Sequence, residues 1–136
     1  MKPAKRQYGV WLDSRKAYIF ELGKDDFITI QSDIEEYNPK GGYGTQVPYQ
    51  FQDATSESTY LERKKQQEKK YFTDIISALQ HAEKIVIMGP AETRKHLEKA
   101  INEDHKLKGK VEDNLPLDSL TENQIRAQIR DYFSVH

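Results

Sequence analysis

Apolar residues recur along this chain with two different periods, and the change of period divides it into a strand-forming part and a helix-forming part. In the first part, Tyr8 to Asp13 is predicted as a strand centred on Val10, Trp11 and Leu12. Ala17 to Leu22, rich in aromatic and β-branched side chains, is predicted as a second. Phe27, Ile28, Ile30 and Ile34 mark a third strand with partial alternation. The intervening Asp13-Ser14-Arg15-Lys16 and Gly23-Lys24-Asp25-Asp26 have turn composition. Turns this short imply a three-strand antiparallel meander.

The second part opens on a long polar segment, about 38–56, that carries Gly41, Gly42 and Gly44. A loop of this length is uncommon in a compact domain unless it is functional or mobile. A basic helix is expected from Glu57 onward. Its apolar stripe is Tyr60, Leu61, Phe72, Ile75, Ile76 and Leu79, interrupted by Lys64, Lys65 and Glu68, so packing should be strongest from Tyr71. Lys84 to Met88 is a short apolar run that suits a strand buried on both faces, ended by Gly89-Pro90. Pro90 is expected to start a helix over Ala91–Glu103, with Leu97, Ala100 and Ile101 inward and Glu92 favouring the dipole. Lys108 to Asp113 reads as a weak last strand around Val111. A final helix starts at a capping box, Thr121 with Gln124 three residues on, and buries Ile125, Ile129 and Phe133 with help from Tyr132.

Three strands followed by helix, strand, helix, strand, helix define an α/β domain with a five-stranded mixed sheet and three helices. Right-handed crossovers should lay the fourth and fifth strands parallel to the first. The 136 residues fit one domain, with its core at about 7–134. A formal net charge of -1 excludes a globally basic nucleic-acid binder but not a local basic patch. The absence of cysteine rules out disulfides and thiolate metal sites. No signal-peptide run follows the basic N-terminus, and nothing approaches the ~20 apolar residues of a membrane span. A cytoplasmic protein is expected, with no membrane contact.

Candidate chemistry concentrates in the loop and the helix after it. Arg63, Lys64, Lys65, Lys69 and Lys70 can neutralise phosphates, and Tyr43 or Tyr60 can stack on an unpaired base. Gly41, Gly42 and Gly44 let backbone N–H groups approach phosphate closely. The plainer reading is a solvated face, softened by Glu62 and Glu68. Asp13 could serve a two-metal nuclease, but an aspartate beside a turn ordinarily forms the turn. Gly89 to Thr93, with Arg94 and Lys95 nearby, offers an anion site at a helix start, though Pro90 and Glu92 suit plain helix initiation. His81, His96, His105 and His136 lack ligand spacing and read as surface residues. No cofactor, metal or catalytic grouping is expected.

Tyr8-Gly9-Val10-Trp11-Leu12-Asp13 with Arg15-Lys16-Ala17, the strand Ile85 to Ala91, and the closing Asp131-Tyr132-Phe133 together resemble small bacterial proteins labelled translational machinery proteins. These are similar to the middle domain of the eukaryotic and archaeal class I peptide release factor and of Pelota. The resemblance runs from about Tyr8 to Phe133 and implies a ribonuclease H-like fold, which the element order also matches. In the release factor a Gly-Gly-Gln tripeptide at the corresponding loop promotes peptidyl-tRNA hydrolysis. Here the loop reads Gly41-Gly42-Tyr43-Gly44-Thr45-Gln46, with Tyr43 in place of the glutamine. The resemblance therefore implies binding to ribosome or tRNA without hydrolase activity. A protein partner at the 38–56 loop is the alternative, and a Mg-dependent nuclease a further one.

Overall fold

The computed structural model of the protein describes residues 6–34 and 54–135, with side chains of the first helix from Ser58 onward. Strands β1 (Gln7–Leu12), β2 (Lys16–Glu21) and β3 (Phe27–Gln31) form the expected antiparallel meander. Helix α1 (Ala54–Ala78), strand β4 (Lys84–Gly89), helix α2 (Thr93–Asn102), strand β5 (Val111–Pro116) and helix α3 (Glu122–Val135) follow. The sheet order is β3-β2-β1-β4-β5, with β4 parallel to β1 and β5 parallel to β4. This is the α/β, five-stranded mixed sheet with three helices that the apolar pattern predicts.

Helices cover both faces of the sheet. Side chains alternate across a strand, so Val10, Leu12, Ile19, Ile85 and Ile87 face α1 and α2, where Tyr71, Ile75, Leu79, Leu97 and Ile101 meet them. Trp11, Tyr18, Phe20, Val86 and Met88 face the other way, onto Ile125, Ile129 and Phe133 of α3. β1 and β4 are central, which is why both read as continuous apolar runs. Gly9 lies on the α3 side, and a Cβ there would stand 2.4 Å from Ile129 Cδ1. The missing side chain lets α3 settle onto the sheet. Gly89 serves a similar end: a Cβ would lie 2.2 Å from the Leu12 carbonyl oxygen of the neighbouring strand.

Several expectations need correction. The first two strands begin and end one residue earlier than the apolar run suggests, because backbone pairing sets their ends. α1 starts at Ala54, three residues before Glu57. Ala54 favours helix, and Thr55, Ser56 and Ser58 offer several cap-like residues among which sequence cannot choose. Leu61 does not join the buried stripe and is 54% exposed; Tyr60 is half-buried. Pro90 does not start α2, whose N-cap is Glu92 in a helical conformation with no side-chain cap. The last strand is Val111–Pro116, not Lys108–Asp113. A turn held by Asp104 Oδ1, which accepts from Lys106 N and Leu107 N, and by Gly109 at φ 81° occupies its expected start. The Thr121 capping box forms as read, with Gln124 N donating to Thr121 Oγ1 and Thr121 N donating to Gln124 Oε1.

Candidate nucleic-acid interface

The C-terminal edge of the parallel strands is where the candidate residues gather. Asp13 follows β1 there, and its Oδ1 accepts hydrogen bonds from Arg15 N (2.8 Å) and Lys16 N (2.9 Å). That is the turn-forming role its position suggested. Tyr71 Oη donates to the Asp13 carbonyl oxygen at 2.9 Å, which places the C-terminal third of α1 level with the end of β1. Burial, helped by the charge of Asp13, raises the Tyr71 phenol well above its ordinary pKa and keeps it a neutral donor. Among the described residues, no three His, Asp or Glu side chains group as a metal site requires.

Past Tyr71, toward its N-terminus, α1 runs beyond the sheet. Every side chain from Leu61 to Gln66 is exposed, including those on the core-facing stripe. Lys64 and Lys65 stand seven residues, two turns, before the buried Tyr71 and Phe72, so they continue the sheet-facing stripe past the sheet's edge. Lys69 adjoins Lys65 at a four-residue spacing. Arg63 and Lys70, seven apart, occupy the other side of the helix, and Lys70 Nζ pairs with Asp74 at 3.0 Å. The five basic residues therefore form two groups, not one face. Among the described residues, the side-chain ammonium groups of Lys64, Lys65 and Lys69 have no hydrogen-bond or ion-pair partner, and the one bond Lys69 makes to a side chain is through its carbonyl oxygen, which accepts from Thr73 Oγ1 at 2.8 Å.

The acidic residues expected to soften this surface are committed elsewhere. Glu62 accepts a hydrogen bond from Gln66 Nε2 (3.3 Å), and Glu68 reaches across to His96 Nδ1 of α2 at 3.5 Å, an ion pair when that imidazole is protonated. At the start of α2, both nearby basic side chains have protein partners. Arg94 Nη1 donates to Asn114 Oδ1 of β5 (2.9 Å), while Asn114 Nδ2 donates to Arg94 O (3.0 Å) and to Glu98 Oε1 (2.8 Å). Lys95 pairs with Glu92 at 3.7 Å. This Arg94–Asn114–Glu98 network ties α2 to β5, and no sequence spacing announces it. Gly41, Gly42, Tyr43 and Gly44 lie outside the described residues. His81, His96 and His105 are exposed, as read.

No family model matches the chain, and no curated protein does. Solved structures with a similar backbone include two archaeal proteins. One is an archaeal translation termination factor, aRF1, at TM-score 0.49 and 11% identity. The other is a further archaeal protein, at TM-score 0.46 and 12% identity. Each alignment covers 96% of this chain and 38% of the other, so the chain spans well under half of either protein. Neither likeness is close enough to carry chemistry across. Among the described residues, no helix is long and apolar enough to cross a membrane.

Proposed function

We propose that this chain is a non-catalytic, cytoplasmic protein of the translation apparatus, of the bacterial kind its motifs resemble. It binds ribosome or tRNA through the N-terminal half of α1 and the glycine-bearing loop before it. One observation carries this reading: Lys64, Lys65 and Lys69 stand exposed on α1 ahead of its buried residues, with their charge unused among the described residues. A cationic rod of this kind can enter a groove between phosphate backbones, and each phosphate it neutralises releases counterions. The loop sequence Gly41-Gly42-Tyr43 lacks the glutamine that hydrolysis requires in the release factor, so contact without chemistry is the activity proposed.

Co-sedimentation with ribosomes across a salt series tests it. Binding should weaken steeply with salt, and Lys64→Glu/Lys65→Glu should abolish it while leaving stability within about 0.5 kcal/mol of wild type, as exposed substitutions do. Binding unchanged by the double reversal would sink the assignment. The exposed Leu61, on the same stripe as Lys64, favours one second reading, a protein–protein module. That reading predicts complexes insensitive to salt and lost in Leu61→Ser.

A further inference from the structure

We propose that β3 is a self-pairing edge, where a second copy of this chain adds its own β3 antiparallel about Thr29 and joins two five-stranded sheets into one. The argument begins with the two edges of the sheet. β5 carries the devices that stop edge-to-edge pairing: Glu112 and Asp113, a register irregularity against β4, and Pro116 at its end. β3 reads Phe27-Ile28-Thr29-Ile30-Gln31, with no charge, no proline and no break in its pairing with β2. Among the described residues, no segment pairs with its outer side.

The backbone polarity of that outer side follows from the inner side. Ser32 N donates to Arg15 O at 2.8 Å, which makes residues 15 and 32 a hydrogen-bonded pair. Alternation along an antiparallel ladder then makes Ala17–Ile30 and Ile19–Ile28 the next such pairs. Asp13 N donating to Lys16 O shows the complementary set of β2 residues turned toward β1. Phe27, Thr29 and Gln31 therefore aim their N–H and C=O groups outward. A two-fold axis at Thr29 pairs Thr29 with its own copy and Phe27 with the copy's Gln31, satisfying all of these groups.

The side chains agree with that register. Ile28 lies on the α1 face of the sheet, yet it is 49% exposed, while its cross-strand partner Ile19 is buried. The two-fold arrangement sets Ile28 beside the copy's Ile30, a β-branched pair of the kind that stabilises sheets. A five-residue strand would hold a dimer weakly by itself. However, α1 packs over β2 and β3. Two copies joined at β3 place their α1 helices two strand spacings apart, roughly 10 Å, which is helix-packing distance. The occupant that fits is thus a second copy, which brings both a matching strand and a matching helix.

Sedimentation velocity over a concentration series, with amide hydrogen exchange on the same full-length samples, tests the pairing. Wild type should pass from monomer to dimer as concentration rises, and Ile28→Lys should raise the dimer dissociation constant by roughly tenfold or more, since edge lysine is the natural block to pairing. Exchange on the wild-type protein checks the register without any variant. The Thr29 and Gln31 amides should gain protection with concentration, while Ile28 and Ile30 stay protected throughout. A monomer up to the solubility limit would overturn the proposal. So would a dimer indifferent to Ile28→Lys, or Thr29 protection that does not change with concentration.

Discussion

At the scale of single residues, the strongest polar contact among the described residues closes the N-terminal end of the meander. Arg6 Nε and Nη2 donate to the two oxygens of Glu21 at 2.8 and 2.9 Å, and Nη2 also reaches Tyr8 Oη at 2.9 Å. The Arg6 N–H donates to Glu83 Oε1 at 2.8 Å, so the same residue ties the approach to β4 into the clamp. These bonds, Arg6 foremost, then Tyr8 and the charge of Lys24, outweigh partial burial and lower the Glu21 pKa to about 2. A carboxylate with a depressed folded-state pKa stabilises fully above its unfolded value, about 4.3, and loses that contribution as pH falls toward 2. Glu21→Gln should therefore lower stability at neutral pH and flatten the acid limb between about pH 5 and 2, read by urea denaturation at stepped pH. An acid limb as steep as wild type would place the titration elsewhere. Nothing in the sequence pairs Arg6 with Glu21, because their contact requires the β1–β2 register.

At the scale of elements, α1 is two helices in its energetics. From Tyr71 to its end at Ala78 it is held by Tyr71, Phe72 and Ile75, with Leu79 just past it, all buried against the sheet. From Leu61 to Gln66 no side chain is buried, and the helix is sustained there by propensity and exposed side-chain pairs such as Gln66–Glu62 rather than by core packing. Amide exchange should therefore form a gradient, with residues 58–66 opening at low free energy and residues 71–78 approaching global stability. Uniform protection along α1 would mean that the projecting half is braced by a partner. The change from polar to apolar composition at Tyr71 is plain in the sequence. The exposure of Leu61 is not, because a leucine in correct phase is indistinguishable from a core residue until the sheet's edge is located.

At the scale of the whole molecule, three layers depend on how closely α3 approaches the sheet. Gly9 sets that distance. A Cβ would meet Ile129 Cδ1, Cγ1 and Cγ2 at 2.4 to 2.5 Å, and Ile129 is 1% exposed with little room to yield. Gly9→Ala should cost about 1–3 kcal/mol through overpacking. In an Ile129→Ala background the same substitution should cost less than about 0.5 kcal/mol, a coupling that a double-mutant cycle measures. Equal costs in both backgrounds would disprove the contact as the cause. The layers also divide the surface. The projecting α1 lies at one end of the sheet, the Arg6–Glu21 clamp at the other, and the uncharged β3 edge along one side, so the proposed RNA contact and the proposed self-pairing need not compete.

The order of elements, the α/β class, the buried stripe of α3 and the turn role of Asp13 were determined by the sequence itself. They rest on local periodicity and on the chemistry of short polar side chains. Only the tertiary structure decided where α1 leaves the sheet, that Arg94 binds Asn114, and which strand edge is paired by no described segment. Each of those facts joins residues distant along the chain, and pairing register and layer spacing, which fix such contacts, have no local signature.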